Sequence, residues 1–422
     1  MDNNFNKSKS QKKIVVAMDS FKGSLTSLEA GNAVRDGILE RYPDVDVQIF
    51  PVADGGEGTV EALTFGKEHV QTRTIPVTGP VGTKVSAEYT IYEQAGGNTA
   101  VLEMAQAAGL PLVPEERRNP MHTTTYGVGE MIRDAITCGC RKFILGIGGS
   151  ATNDAGIGML QALGFHFRDE AGREVGYGAE GLAQVRSITT EDVMPELALC
   201  TFQIACDVTN PLVGAQGCSA VFAPQKGADA KMVQEMDAAM NRYADIVEDM
   251  YRKDPVLMEN QQTGYDEAGK NVEKNDRQSQ VKNRMTPGAG AAGGLGYACL
   301  RFLHAALKPG IDIVLEEIQI AQAIKNADAV ITGEGRLDAQ TLMGKTPIGV
   351  ARIAKAYEVP VYAFAGCFGA DVQVCIDSGV FAGCYAASTA STEKEKRLAM
   401  EKRHAYANLK ACVKAHFSIE NL

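Results

Sequence analysis

Residues 330–346 read VITGEGRLDAQTLMGKT: an apolar run, then glycines set among Glu334, Arg336 and Asp338, then Gly-Lys-Thr just before a segment of helical spacing. Lysines and glycine-freed amides hold phosphate oxygens, and carboxylates hold Mg2+ or accept a proton, so the chemistry on offer is phosphoryl transfer. The stretch is not a P-loop. That pattern needs a glycine five residues before the one in Gly-Lys-Thr, and counting back from Gly344 lands on Ala339.

Four other stretches place a similar kit after an apolar run. MDSFKGSLTS (18–27) offers Asp19, Ser20, Lys22 and Ser24, and VADGGEGT (52–59) offers Asp54, Gly55, Gly56 and Glu57. GIGGSATNDAG (146–156) offers Ser150, Thr152, Asn153 and Asp154, and CDVTNPL (206–212) offers Asp207. Taken singly, each has a plainer explanation, since Asp or Ser before a helix is usually an N-cap and glycine merely permits positive φ. Capping alone does not ask for Lys22, Lys226 and Lys345 in such loops. Together they point to phosphate handling at the carboxyl ends of sheet strands, where open α/β sheets bind their ligands.

PGAGAAGG (287–294) competes with this reading, because Gly288, Gly290 and Gly293 fit Gly-x-Gly-x-x-Gly and Asp312 follows. A nicotinamide fingerprint must follow a strand, and here the polar VKNRMT comes first, so a glycine-opened helix is the better expectation. No GxSxG elbow occurs, and His166 sits in the alternating GFHFRD as a structural residue. The ten cysteines include no CxxC and the six histidines show no ligand spacing, so zinc is not expected.

The elements that position these loops follow from periodicity. IVVAM (14–18) reads as a strand buried on both faces, Leu28 to Leu39 as a helix, VQIFPV (47–52) as a strand and Val60 to Phe65 as a helix, an opening that implies a parallel sheet. Residues 69–104 alternate without room for crossover helices and read as an antiparallel meander. Mixed α/β patterns follow, including FQIAC (202–206) and SAVFAP (219–224) as strands and a long helix from Ala230 to Tyr251. A polar stretch at 252–284 reads as a surface loop, and β-α-β units then return with DAVIT, a helix over 346–356, VPVYAFAG, VFAGCYAA and a closing helix over 392–416. The expected architecture is α/β: a discontinuous parallel-sheet domain, 13–67 plus 286–417, interrupted by an inserted mixed α/β domain, 68–285.

The 422 residues carry 42 basic against 52 acidic side chains, a formal charge of -10, which speaks against nucleic-acid and anionic-membrane partners. No run has the roughly 18 uncharged apolar residues of a membrane helix, and MDNNFNKSKSQKK lacks the apolar core of a secretion signal, so a cytoplasmic setting is expected.

Seven blocks in order, AMDSFKGSL, PVADGGEGT, GIGGSATNDAG, CDVTNPL, FAPQKGA, PGAGAAGGLG and ITGEGRLDAQTLMGKTPIG, resemble the bacterial glycerate kinases of the first family, the glycerate 2-kinase type. The likeness runs from about residue 13 to 370, with a polar stretch at 254–284 longer than the family pattern. It implies a flavodoxin-like domain interrupted by a second α/β domain, ATP and Mg2+ as cosubstrates, D-glycerate as acceptor and 2-phosphoglycerate as product. On these motifs Lys22, Ser150 and Asn153 would hold the acid's carboxylate, with Asp19, Ser20, Gly55, Gly56 and Asp154 around the substrate. Asp54 or Asp207 would be the base. Lys226, Lys345, Gly333 and the Gly288 to Gly290 amides would serve the nucleotide, with Lys22 and Lys345 catalytic. Asp207, Glu334 or Asp338 would hold Mg2+. Two alternatives stand beside this: an NAD-dependent hydroxy-acid dehydrogenase, resting on GAGAAG, and a non-catalytic sensor of sugar acids.

Overall fold

The computed structural model describes residues 11–56, 58–94, 96–253, 283–388, 390, 392 and 400–422. The chain enters on β1 (Lys13–Met18), whose five apolar residues after Lys13 are all buried, as a central parallel strand requires. A helix over Ser27–Leu39 follows and buries Ala30, Ala33, Val34 and Ile38 at helical spacing. Its start is fixed by a capping box, in which the Thr26 hydroxyl accepts the Glu29 N–H and the Glu29 carboxylate accepts the Thr26 N–H. β2 (Asp46–Ile49) and a short helix, Thr59–Thr64, complete this first segment.

A second compact unit then occupies Lys67–Lys308. It contains the meander β3 (Gln71–Thr78), β4 (Lys84–Gln94) and β5 (Gly97–Glu103), followed by β6 (Cys140–Gly146), a small antiparallel pair β7 (His166–Arg168) and β8 (Ser187–Thr189), then β9 (Thr201–Ala205) and β10 (Ala306–Lys308). Its main sheet has the order β10-β9-β6-β5-β4-β3, antiparallel from β3 to β5 and parallel from β5 to β10. The core beneath it gathers Phe143, Leu145, Met159, Leu160, Tyr243 and Leu295.

The first unit resumes at Pro309. β11 (Ala329–Gly333), β12 (Arg336–Leu337), β13 (Val361–Ala365), β14 (Cys367–Phe368) and β15 (Gly383–Ala386) follow, with helices at Thr346–Ala356 and Lys402–His416. The five long strands are all parallel in the order β15-β13-β11-β1-β2. Counted within this unit, that is the flavodoxin-like order 2-1-3-4-5. The fold is thus the expected α/β architecture: a flavodoxin-like sheet interrupted in sequence by a mixed α/β unit.

Three details differ from the sequence-based expectation. The second unit extends past residue 285 to Lys308, because β10 pairs with β9 and the Ala291–Phe302 helix buries Leu295, Tyr297 and Cys299 in that unit's core. SAVFAP is not a strand; it forms a helix over Cys218–Phe222 and a 3-10 turn over Pro224–Lys226. Short apolar runs do not distinguish the two, and here Ser219 and Cys218 face the interior while Val221 stays exposed. Helices at Gly310–Glu317 and Ile320–Lys325 were not expected at all. The polar stretch lies outside the described residues over 254–282, and the Ala230–Lys253 helix runs up to it.

Candidate active site

The first unit carries a cavity of about 490 Å3 whose walls come from the loops after the parallel strands. Asp19, Ser20, Lys22 and Ser24 follow β1, Asp54 follows β2, Glu334 and Asp338 follow β11, and Lys345 precedes the Thr346–Ala356 helix. β1 and β11 are neighbours at the point where the strand order reverses, which is the switch point at which open α/β sheets bind ligands. The two loops are tied together, since the Asp19 N–H donates to the Gly333 carbonyl at 2.9 Å. Gly333 itself is needed for packing, as a side chain there would strike the Phe364 carbonyl.

Two buried carboxylates face this space. Asp19 is 7% exposed; its Oδ1 accepts the Ser20 N–H at 2.6 Å and its Oδ2 accepts the Thr346 hydroxyl at 2.6 Å. Burial pushes its carboxyl up to about 6, with the Asp54 charge adding to the rise and the Thr346 bond opposing it. Glu334 is 8% exposed; its Oε1 accepts the Thr341 hydroxyl at 2.6 Å and its Oε2 lies 3.5 Å from Lys345 Nζ. Burial raises Glu334 as well, and Asp19 and Asp338 add to this while Thr341 and Lys345 oppose it. Asp338 stands 4.0 Å from the same lysine and caps the 3-10 turn Ala339–Met343 by accepting the Gln340 N–H. The hydroxyl oxygens of Ser20 and Ser24, both on the cavity wall, are buried without a hydrogen-bond partner in the protein. A ligand with acceptor atoms would satisfy them.

Hard oxygen donors suit Mg2+, and the Glu334–Asp338 pair beside Lys345 is such a set. Among the described residues no three His, Cys, Asp or Glu side chains form a ready-made metal cage. Mg2+ in phosphoryl transfer asks for less, one or two carboxylates with the substrate's own phosphates completing the shell, and the pair fits that requirement.

The second unit holds the other group of expected residues, and there they are sealed. Asn153 and Asp154 have no exposed surface and Lys226 is 2% exposed. Lys226 Nζ donates to Ser150 Oγ at 2.7 Å and to the Thr152 carbonyl at 2.6 Å, and burial lowers its ammonium to about 8. Asp154 accepts the Thr125 N–H and hydroxyl, both at 2.8 Å, and the Gly156 N–H at 3.0 Å; burial raises its carboxyl. Asn153 donates to Ser219 Oγ at 2.9 Å. These partners make the loop's own scaffold. Gly290 gives its N–H to the Asn210 carbonyl, and side chains at Gly290 or Gly293 would strike the Pro211 or Thr152 carbonyls. The glycine run therefore packs against the 150–155 loop, with Ala155 donating to the Gly293 carbonyl at 3.0 Å. Among the described residues just before Gly288, 283–287 form no strand, so the structural context of a nicotinamide fingerprint is not present there. Asp207 is exposed beyond β9.

Several expectations meet a definite location. Asp19, Ser20, Lys22, Asp54, Glu334, Asp338 and Lys345 line one cavity, with Gly55 and Gly56 next to Asp54, whereas Glu57 lies outside the described residues. His166, in the second unit, is held between Glu174 at 3.1 Å and Asp192 at 2.8 Å. Sequence reasoning missed Thr341 and Thr346, the hydroxyls that clamp the two buried carboxylates. Thr346 was visible in Gly-Lys-Thr, but its partner lies 327 residues away.

Comparison with known proteins points to a single family. The family model described as the glycerate kinase family matches residues 14–418. A glycerate kinase of Haemophilus influenzae is 45% identical over 87% of this chain and 89% of its own length. The glycerate 2-kinase of Escherichia coli is 44% identical, covering 87% and 88% respectively. A crystal structure from Salmonella typhimurium LT2, provisionally described as glycerate kinase 2, superposes with a TM-score of 0.79 at 39% identity, covering 96% of this chain and 97% of that one.

Proposed function

The chain belongs to the glycerate kinase family and is a kinase, and from that premise we propose that it uses ATP to phosphorylate D-glycerate at the 2-hydroxyl, giving 2-phosphoglycerate and ADP. The observation that carries the reading is the first unit's cavity, in which carboxylates and lysines converge at the switch point of a parallel sheet.

In this reading the acceptor's carboxylate is held by Lys22 and by the Ser20 and Ser24 hydroxyls, which lack protein partners. Asp19 takes the proton of the attacking hydroxyl. What supports Asp19 over the expected Asp54 is its burial, its two fixed hydrogen bonds and a carboxyl raised to about 6, nearer the pH at which a base works well. The hydroxyl oxygen attacks the terminal phosphorus, the bond to the ADP oxygen breaks, and Lys345 offsets charge on the transferred phosphoryl oxygens. Mg2+, held by Glu334 and Asp338 together with the nucleotide's phosphates, would supply further neutralisation of that charge. In the second unit, Ser150 accepts from Lys226 and so keeps its own proton to donate, while Asn153, Asp154 and the Gly288–Gly290 turn shape its loop. Asp207, exposed, is the rival base against which Asp19 is to be compared. The enzyme is expected to act in the cytoplasm on small molecules.

The protein mixed with ATP, Mg2+ and D-glycerate should give a new phosphomonoester signal by 31P NMR, with the proton coupling of a 2-phosphate. A signal coupled to a methylene pair would assign the 3-hydroxyl instead. Glycerate binding with ATP untouched would favour the sensor alternative.

A further inference from the structure

The Gly-Lys-Thr that ends residues 330–346 has a different job from the one the triplet holds in a P-loop, where the hydroxyl goes to Mg2+. Here the Thr346 hydroxyl donates to Asp19 Oδ2 at 2.6 Å. We propose that Thr346 is a positioning residue for the reaction, its hydroxyl fixing which face of the Asp19 carboxylate meets the acceptor, while Thr341 likewise fixes the orientation of the Glu334 carboxylate. The proposal rests on the function given above.

The geometry leaves the hydroxyl little else to do. Thr346 and Thr341 have no exposed surface, so neither hydroxyl can trade its bond for water. The Asp19 carboxylate would otherwise turn about its broad terminal torsion; Thr346 on Oδ2 and the Ser20 N–H on Oδ1 pin both oxygens, each keeping one acceptor direction spare. Thr346 is also the first residue of its helix, directly after Lys345, so one turn of chain sets a cation and a carboxylate at the same time. Thr341 is used twice: its oxygen accepts the Asp338 N–H at 3.2 Å and its proton goes to Glu334. The hydroxyls of 341 and 346 thus hold the two buried carboxylates, Glu334 and Asp19, while Asp338 and Lys345 come from the same short segment.

Valine keeps the shape of threonine and removes the hydroxyl, and serine keeps the hydroxyl. Thr346→Val should lower kcat by about 10- to 100-fold, the range for partners that orient a working group, with the KM for glycerate nearly unchanged, and Thr346→Ser should recover most of the loss. A second readout does not depend on turnover. The charged groups around Asp19 are Lys22 on its own loop, Asp54 after β2 and Glu334 after β11, with Lys345 beside Thr346. The Asp19 carboxyl is raised from 3.8 to about 6, so its contribution to stability is present below about 4 and is lost as pH rises through 6. The Thr346 bond limits that loss. The melting-temperature deficit of Thr346→Val should therefore be small at pH 4.5 and grow to pH 8, whereas a packing defect would be flat.

Wild-type kcat in Thr346→Val, or an equal loss in Thr346→Ser, overturns the proposal. If the wild-type protein turns over no glycerate, the functional reading has failed separately, and the pH course of the melting deficit alone decides whether Thr346 acts through Asp19. Should the valine variant not fold, Thr346→Ala is put through the same two measurements.

Discussion

Loops of similar written form, in which a buried strand runs into a mixture of glycine with Ser, Asn, Asp or Glu, have opposite fates in the two units of this molecule. After β1, β2 and β11 the polar groups line an open cavity: Lys22 is exposed, Asp54 is half-buried, and two serine hydroxyls have no protein partner. At the loop after β6 the charged groups are consumed internally, Asp154 of the loop by Thr125 and Gly156, and Lys226, from the Pro224–Lys226 turn, by Ser150 and Thr152. The difference is burial of the charge. An ionised group taken fully from water must be hydrogen-bonded to stay, so the second unit spends its charges on its own shape, whereas the first keeps them for a ligand.

That contrast predicts separable losses. Lys345→Met removes a charge aimed at the cavity and should cut kcat by more than about 100-fold while the melting temperature stays close to wild type. Asp154→Ala strips acceptors from the Thr125 and Gly156 amides, each a buried donor worth about 1–3 kcal/mol when orphaned, so its main effect should be on denaturant midpoint. Activity per folded molecule should remain within severalfold of wild type. Lys226→Met, which keeps the apolar stem, should follow with a smaller loss of about 1–3 kcal/mol from the Thr152 carbonyl left without a donor. Full stability with lost turnover in either second-unit variant would erase the distinction.

Much of this was written legibly in the sequence. β1 at 13–18, the helix at 346–356 and the meander are where periodicity put them, because continuous apolar runs and strict alternation leave few other solutions. The glycine-and-carboxylate loops named Asp19, Lys22, Asp54, Glu334, Asp338 and Lys345 of the cavity's charged residues in advance, but did not give Arg336 or Glu401 a place in the site. What could not be read was which of them face open space. Lys22 and Lys226 look alike on paper, and only the fold seats the second, 2% exposed, on Ser150 and the Thr152 carbonyl. Nor could Thr346 be tied to Asp19, since that contact depends on β1 and β11 being neighbours across an insertion of some 240 residues. The Cys218–Phe222 segment was misread because five apolar or small residues satisfy a strand and a helix equally.

The smallest expected effect tests the first unit's side of the comparison most sharply. If Asp19 is the base and Asp54 its neighbour, the negative charge of Asp54 is one reason that the Asp19 carboxyl sits near 6. A base must be ionised, so kcat/KM for glycerate should rise with pH through that value. Asp54→Asn removes the charge and keeps the shape, which lets Asp19 ionise more readily, so the acid limb of the profile should move to lower pH by a fraction of a unit. The burial that dominates the Asp19 shift is untouched, so the limb should stay above the 3.8 of an ordinary aspartate. A limb that stays in place would show that Asp54 is not felt at the working group. Loss of the limb altogether would make Asp54 the base, as its place after the second strand first suggested, and Asp19 a substrate holder.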